Sequence, residues 1–140
     1  MLTRGERIVA VAGTLLLVDL IALPWHRTTF APSVVGVLEI SRTGVQRPNA
    51  GLGLLALLAA AAMVTQVVAT KVAGASLPEI PVPWAQVHLV AGWAAVALLV
   101  LKLMAAPERL GSGAWLGLAL AGALAYGGVT VNREARNPDR

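Results

Sequence analysis

Asp19 and Lys102 each interrupt a long apolar run in this sequence, where carrying a charge is costly. Groups of this kind inside a membrane pair with each other, bind backbone carbonyls, or carry protons and ions. Asp19 lies five residues before Pro24, and Lys102 lies five before Pro107. At about 1.5 Å per residue, each sits roughly 7–8 Å inside a helix end. On helices running in the same direction the two charges are level, so the expected contact is an ion pair between the first and third helices. Two other readings stay open on the residues alone. Lys102 can snorkel its ammonium to the border while Asp19 is protonated or bonds a hydroxyl. Alternatively, both can line a path for protons or ions. A second polar couple, Gln66 and His88, lies at the opposite border on antiparallel helices. An interhelical hydrogen bond there is worth about 0.6–2 kcal/mol in lipid.

Other chemistry is excluded by what the chain lacks. It has no cysteine, so disulfides, thiolate metal sites and cysteine nucleophiles are absent. There is no HExxH, no GxSxG and no phosphate-cradling glycine loop. Gly51-Leu52-Gly53 lacks both the preceding strand and the third glycine of a dinucleotide fingerprint. His26 and His88 fall at opposite borders, so they cannot share a metal. Glu108, Arg109 and Glu134 read as solvated loop charges. No catalytic residue, metal or cofactor is therefore expected, and the chain is not expected to be an enzyme. The net charge is +4, but the basic residues are dispersed, so nucleic acid is not an expected partner.

The elements that must position these groups follow from composition. Hydrophobic residues make up 57% of the chain and charged residues 13%, against about 25% charged in an average soluble domain. Four segments are long and apolar enough to cross a bilayer. They run over about 8–25, 50–70, 84–106 and 113–131. All Asp, Glu, Lys and Arg residues except Asp19 and Lys102 fall outside them. The expected fold class is all-α: one domain, a polytopic membrane protein with four transmembrane helices in an up-down bundle.

The first segment is too long for a typical signal-peptide core and has no small-residue cleavage site before Pro24, so it reads as a retained span. Trp25 and Trp84 are expected at water–lipid borders. Asn49 and Ser112 are candidate helix caps. In the long connection His26–Asn49, the β-branched run Val34–Ile40 followed by Ser41-Arg42-Thr43-Gly44 suggests a short hairpin, with an interfacial helix or the ragged entry to the second helix as equal alternatives. On the fourth helix, Gly113, Gly117, Ala121 and Ala125 recur every four residues, a register that lets backbones approach closely, within the bundle or in a dimer. The basic start (Arg4, Arg7) and tail (Arg133, Arg136, Arg140) favour both termini on the cytoplasmic side.

Several stretches together resemble a group of small, uncharacterised, mostly actinobacterial membrane proteins. They are Gly5-Glu6-Arg7-Ile8-Val9, Leu23-Pro24-Trp25, Pro81-Val82-Pro83-Trp84, Leu99-Val100-Leu101-Lys102-Leu103, Gly113-Ala114-Trp115-Leu116-Gly117, Ala125-Tyr126-Gly127-Gly128 and Arg133-Glu134. The resemblance implies a four-helix integral protein of the bacterial cytoplasmic membrane, and it brings no activity with it. The expected role is a structural or accessory subunit, in contact with the lipid bilayer and with another membrane protein or a second copy. The alternative is a small oligomeric transporter or channel using Asp19 and Lys102.

Overall fold

The computed structural model describes residues 1–30 and 38–137. The chain forms helix α1 (Arg4–Ala22), strands β1 (His26–Phe30) and β2 (Leu38–Arg42), and helices α2 (Ala50–Lys71), α3 (Trp84–Ala105) and α4 (Ser112–Arg136). Helices α2, α3 and α4 are long and apolar enough to cross a membrane.

Local chemistry explains the helix ends. Thr3 and Glu6 form a capping box: the Thr3 hydroxyl accepts from the Glu6 N–H at 3.3 Å, and the Glu6 carboxylate accepts from the Thr3 N–H at 2.8 Å. Helix α1 stops at Ala22, two residues ahead of Pro24 and short of the expected end at Trp25. Neither expected cap operates. Asn49 takes a left-handed conformation (φ 55°) and its side chain makes no capping bond, while Ser112 is already helical behind Gly111. Helix α4 continues past Val131 to Arg136, because its last turn packs on the start of α1.

Helix α1 packs against α2 and α4, and α3 packs against the same two neighbours. That leaves α1 and α3 across a diagonal. The shared interior is built from Val9, Leu16, Leu20, Ala56, Ala60, Ala95, Leu99, Ala121 and Leu124, all fully buried. Large apolar side chains also cover the outside. Leu54, Leu55 and Leu58 on α2, Val90, Trp93, Leu101 and Met104 on α3, and Trp115, Leu116 and Tyr126 on α4 are all exposed. An apolar exterior of this extent suits hydrocarbon as its solvent.

The long connection between α1 and α2 adds a two-stranded ribbon to the helices. β1 and β2 pair antiparallel, with His26 opposite Arg42 and Thr29 opposite Glu39. The expected turn at Ser41–Gly44 is not the hairpin turn, since β2 pairs back onto the residues after Trp25; Val34–Val37 lie outside the described residues. Backbone bonds tie the ribbon to the α3–α4 connection. The Arg27 N–H donates to the Arg109 carbonyl at 3.0 Å, and the Gly111 N–H donates to the Trp25 carbonyl at 2.9 Å.

Candidate functional site

The four polar residues singled out from sequence divide between the two ends of the helices. Asp19 and Lys102 lie at the end carrying the β-ribbon, and Gln66 and His88 lie at the end where α1 begins.

At the ribbon end, Asp19 and Lys102 do not pair with each other. The Trp25 indole N–H donates to Asp19 Oδ2 at 2.9 Å. The Lys102 ammonium donates to the backbone carbonyls of Gln46 (3.2 Å), Pro48 (2.5 Å) and Asn49 (3.2 Å). Both side chains are buried. Helix placement accounts for the correction. Asp19 looks toward α4, where a Cβ on Gly117 would strike its carboxylate, whereas Lys102 looks toward the loop leading into α2. At the last turn of α3 the ammonium also meets the negative end of that helix's dipole.

Trp25 is likewise corrected from a border anchor to a core residue. It is fully buried, and Gly44, Gly113 and Gly117 give its ring room. Proline at 24 ends the helix and turns the next side chain inward, so the indole reaches back six residues to Asp19. Sequence reasoning had no signal for that reach, nor for the three carbonyls around Lys102.

His26, in β1, is 4% exposed, and neither ring nitrogen has a hydrogen-bond partner among the described residues. Burial first, and the Lys102 charge second, hold its imidazole below the ordinary range. The folded chain therefore binds fewer protons at this site than the unfolded chain. Stability is expected to be fully present above the unfolded value of about 6.5 and to fall as pH drops below it. Thermal unfolding in mild detergent from about pH 8 to 5 should show this decline. His26→Phe should make it shallower, and an unchanged slope would remove His26 as a source.

At the other end, His88 is 3% exposed, and its Nε2 lies 2.5 Å from Gln66 Oε1. An amide oxygen only accepts, so His88 carries its proton on Nε2 in this pairing. That leaves Nδ1 buried without a partner among the described residues. Two further links missed by sequence reasoning surround it. Lys71 Nζ lies 3.2 Å from Glu6 Oε1, and the Glu134 carboxylate accepts from the Gly5 N–H at 3.2 and 3.3 Å. Glu134 is thus a helix-to-helix tie and not a solvated loop charge. The Thr3-x-x-Glu6 spacing signalled the cap, but nothing in the sequence signalled Lys71. A cavity of about 330 Å³ opens among Glu6, Gln66, Thr70, Lys71, Trp84 and His88.

The small-residue register of α4 is buried within the chain's own helices. Gly113 and Gly117 receive Trp25, Ala121 is fully buried, and Ala125 meets Gly92 of α3. Among the described residues, no three His, Asp or Glu side chains converge as metal ligands would. Compared with protein-family models, curated proteins and solved structures, the chain matches none.

Proposed function

We propose that this is a four-span protein of the bacterial cytoplasmic membrane, with both termini inside and an accessory, non-enzymatic role beside another membrane protein or a second copy. The small actinobacterial membrane proteins that it resembles fit the same description. Treating α1 as a fourth span rests on where its charges sit. Arg4, Glu6 and Arg7 occupy its first turn, and Asp19 is turned inward. Its outward stripe is Val11, Leu15, Val18 and Ile21. Successive helices then run up, down, up and down.

The observation that carries the accessory role is the exposed pair Trp93 and Tyr126, 57% and 52% exposed near the middle of α3 and α4. Gly92 touches Ala125 across the two helices. One residue further, a turn of about 100° on antiparallel helices brings both aromatics to the same outer face. Tryptophan and tyrosine favour membrane borders, where their polar atoms find partners. At mid-depth, hydrocarbon offers none, and an adjoining protein helix does.

The channel alternative is disfavoured by the middle of the molecule. Lys102 and His88 are about 21 Å apart along α3, and fully buried Ala95, Leu99, Ala60, Ala121 and Leu124 fill the space between the two polar ends.

Mild-detergent purification should retain a partner or a dimer, and Trp93→Leu with Tyr126→Leu should release it. Charge-dependent flux in reconstituted vesicles, abolished by Asp19→Asn, would favour the channel instead. Topology is testable separately, because the chain has no native cysteine. Single cysteines at Thr3 and Ser76 should label from one side and a cysteine at Thr29 from the other. Labelling of Thr3→Cys from the Thr29 side would show that α1 does not cross.

A further inference from the structure

The cavity at the Glu6 end and an apolar groove both border one small void, sharing lining residues with it. The polar chamber of about 330 Å³ holds one carboxylate (Glu6), one ammonium (Lys71), the Gln66 amide and His88. A neck of about 40 Å³ shares Gln66, Trp84 and His88 with this chamber. The same neck shares Val87 and Ala91 with a groove of about 520 Å³, which Ile80, Val82 and Val90 also line. Chamber and groove are each within the roughly 300–1,000 Å³ of small-molecule sites. They lie at one end of helices long and apolar enough to span a bilayer, which is where headgroup gives way to acyl chain.

We propose that this cleft holds one phospholipid of the surrounding bilayer, a zwitterionic one with a primary-amine headgroup. The charge pattern selects that class. Glu6 and Lys71 are 3.2 Å apart and balance each other, so the chamber is neutral overall but polarised. A headgroup carrying both an ammonium and a phosphate matches it, with the ammonium toward Glu6 and the phosphate toward Lys71 and the Gln66 amide N–H groups. An anionic headgroup without an amine would meet Lys71 favourably but be opposed by Glu6. One acyl chain passes Trp84 and lies along Val87, Ala91 and Val90. Glu6 is restrained by its capping bond to Thr3 and is mostly buried, so the acidic half of the site is preorganised.

The test is native mass spectrometry of the full chain from mild detergent, with dioleoyl phosphatidylethanolamine or dioleoyl phosphatidylglycerol added. The proposal expects a saturable one-to-one phosphatidylethanolamine adduct, bound at least tenfold tighter than phosphatidylglycerol. Glu6→Gln keeps an acceptor for the Thr3 cap but removes the charge, and should lower that affinity at least tenfold. Lys71→Gln alters an exposed side chain and should do the same, which covers the case in which Glu6→Gln weakens α1. Val90→Trp, on an exposed position, should block the groove. Melting without added lipid identifies any variant that is merely unfolded. Equal binding of the two lipids, or phosphatidylethanolamine retention unchanged in the folded Lys71→Gln and Val90→Trp proteins, would overturn the proposal. The outcome is independent of whether a protein partner docks on Trp93 and Tyr126.

Discussion

Lys102→Met should destabilise the protein by about 2–3 kcal/mol, and the loss should be the same whether or not Asp19 is present. The size follows from what the ammonium holds. Three carbonyls, those of Gln46, Pro48 and Asn49, converge on it, and hydrogen bonds to a charged group are worth about 1.5–3 kcal/mol each before the cost of burying the charge is set against them. Methionine fills the volume but supplies no donor, so the turn into α2 loses its anchor. The independence follows from geometry, since Asp19 is satisfied by Trp25 and faces α4. In a double-mutant cycle with Asp19→Asn and Lys102→Met, the two effects should add within about 0.5 kcal/mol, as for separated sites. Unfolding in mixed detergent micelles measures each corner of the cycle. A coupling above about 1 kcal/mol would restore the diagonal ion pair that the sequence suggested. Lys102→Arg should recover part of the loss, since it keeps a donor of the same charge in a bulkier head.

The contrast between this pair and the one at the other end shows what one-dimensional spacing can carry. Depth along a helix is a count of residues, so the levels of Asp19, Lys102, Gln66 and His88 were legible from their distances to Pro24, Pro107, Lys71 and Trp84. Level groups meet only if their helices are neighbours. Gln66 and His88 sit on α2 and α3, which pack together, and their side chains lie 2.5 Å apart. Asp19 and Lys102 sit on helices that face each other across the diagonal, and each finds a nearer partner. Nothing in hydropathy encodes the order of helices around an axis, because every face of a lipid-exposed helix is apolar. The partners they took instead were a tryptophan beyond a proline and three backbone carbonyls. Carbonyls have no sequence signature at all. The apolar segments themselves were readable because charge is expelled from them at several kcal/mol per group. The β-ribbon was only half readable: its second strand alternates apolar and polar residues over Leu38-Glu39-Ile40-Ser41, but β1, His-Arg-Thr-Thr-Phe, carries no alternation to mark it.

Two glycines that are two residues apart should respond to alanine in opposite directions. Gly51 and Gly53 both lie in the first turns of α2, and in the sequence they differ in nothing but position. A Cβ at Gly51 meets no atom within 4 Å. Alanine there has only the helix-propensity term to express, so Gly51→Ala should stabilise by about 0.5–1 kcal/mol. A Cβ at Gly53 would be driven into the carbonyl of Gly44, which is backbone and cannot rotate away. Gly44 cannot retreat either, since it is wedged against Leu20 and the Trp25 ring. Overpacking of this kind costs about 1–3 kcal/mol, and the propensity gain offsets only part of it. Gly53→Ala should therefore destabilise by about 1–2 kcal/mol. The displaced loop should also press on Trp25 and lengthen its bond to Asp19. The damage then has a local signature: the hydrogen-bonded indole N–H resonance of Trp25 should shift in Gly53→Ala and stay in place in Gly51→Ala. Stability changes of the same sign in both variants would show that Gly44 does not seat against α2 at Gly53. The glycine pair that lacks the context of a phosphate loop thus has a different use. One member is replaceable, and the other sets how closely the loop beneath Lys102 approaches the helix it leads into.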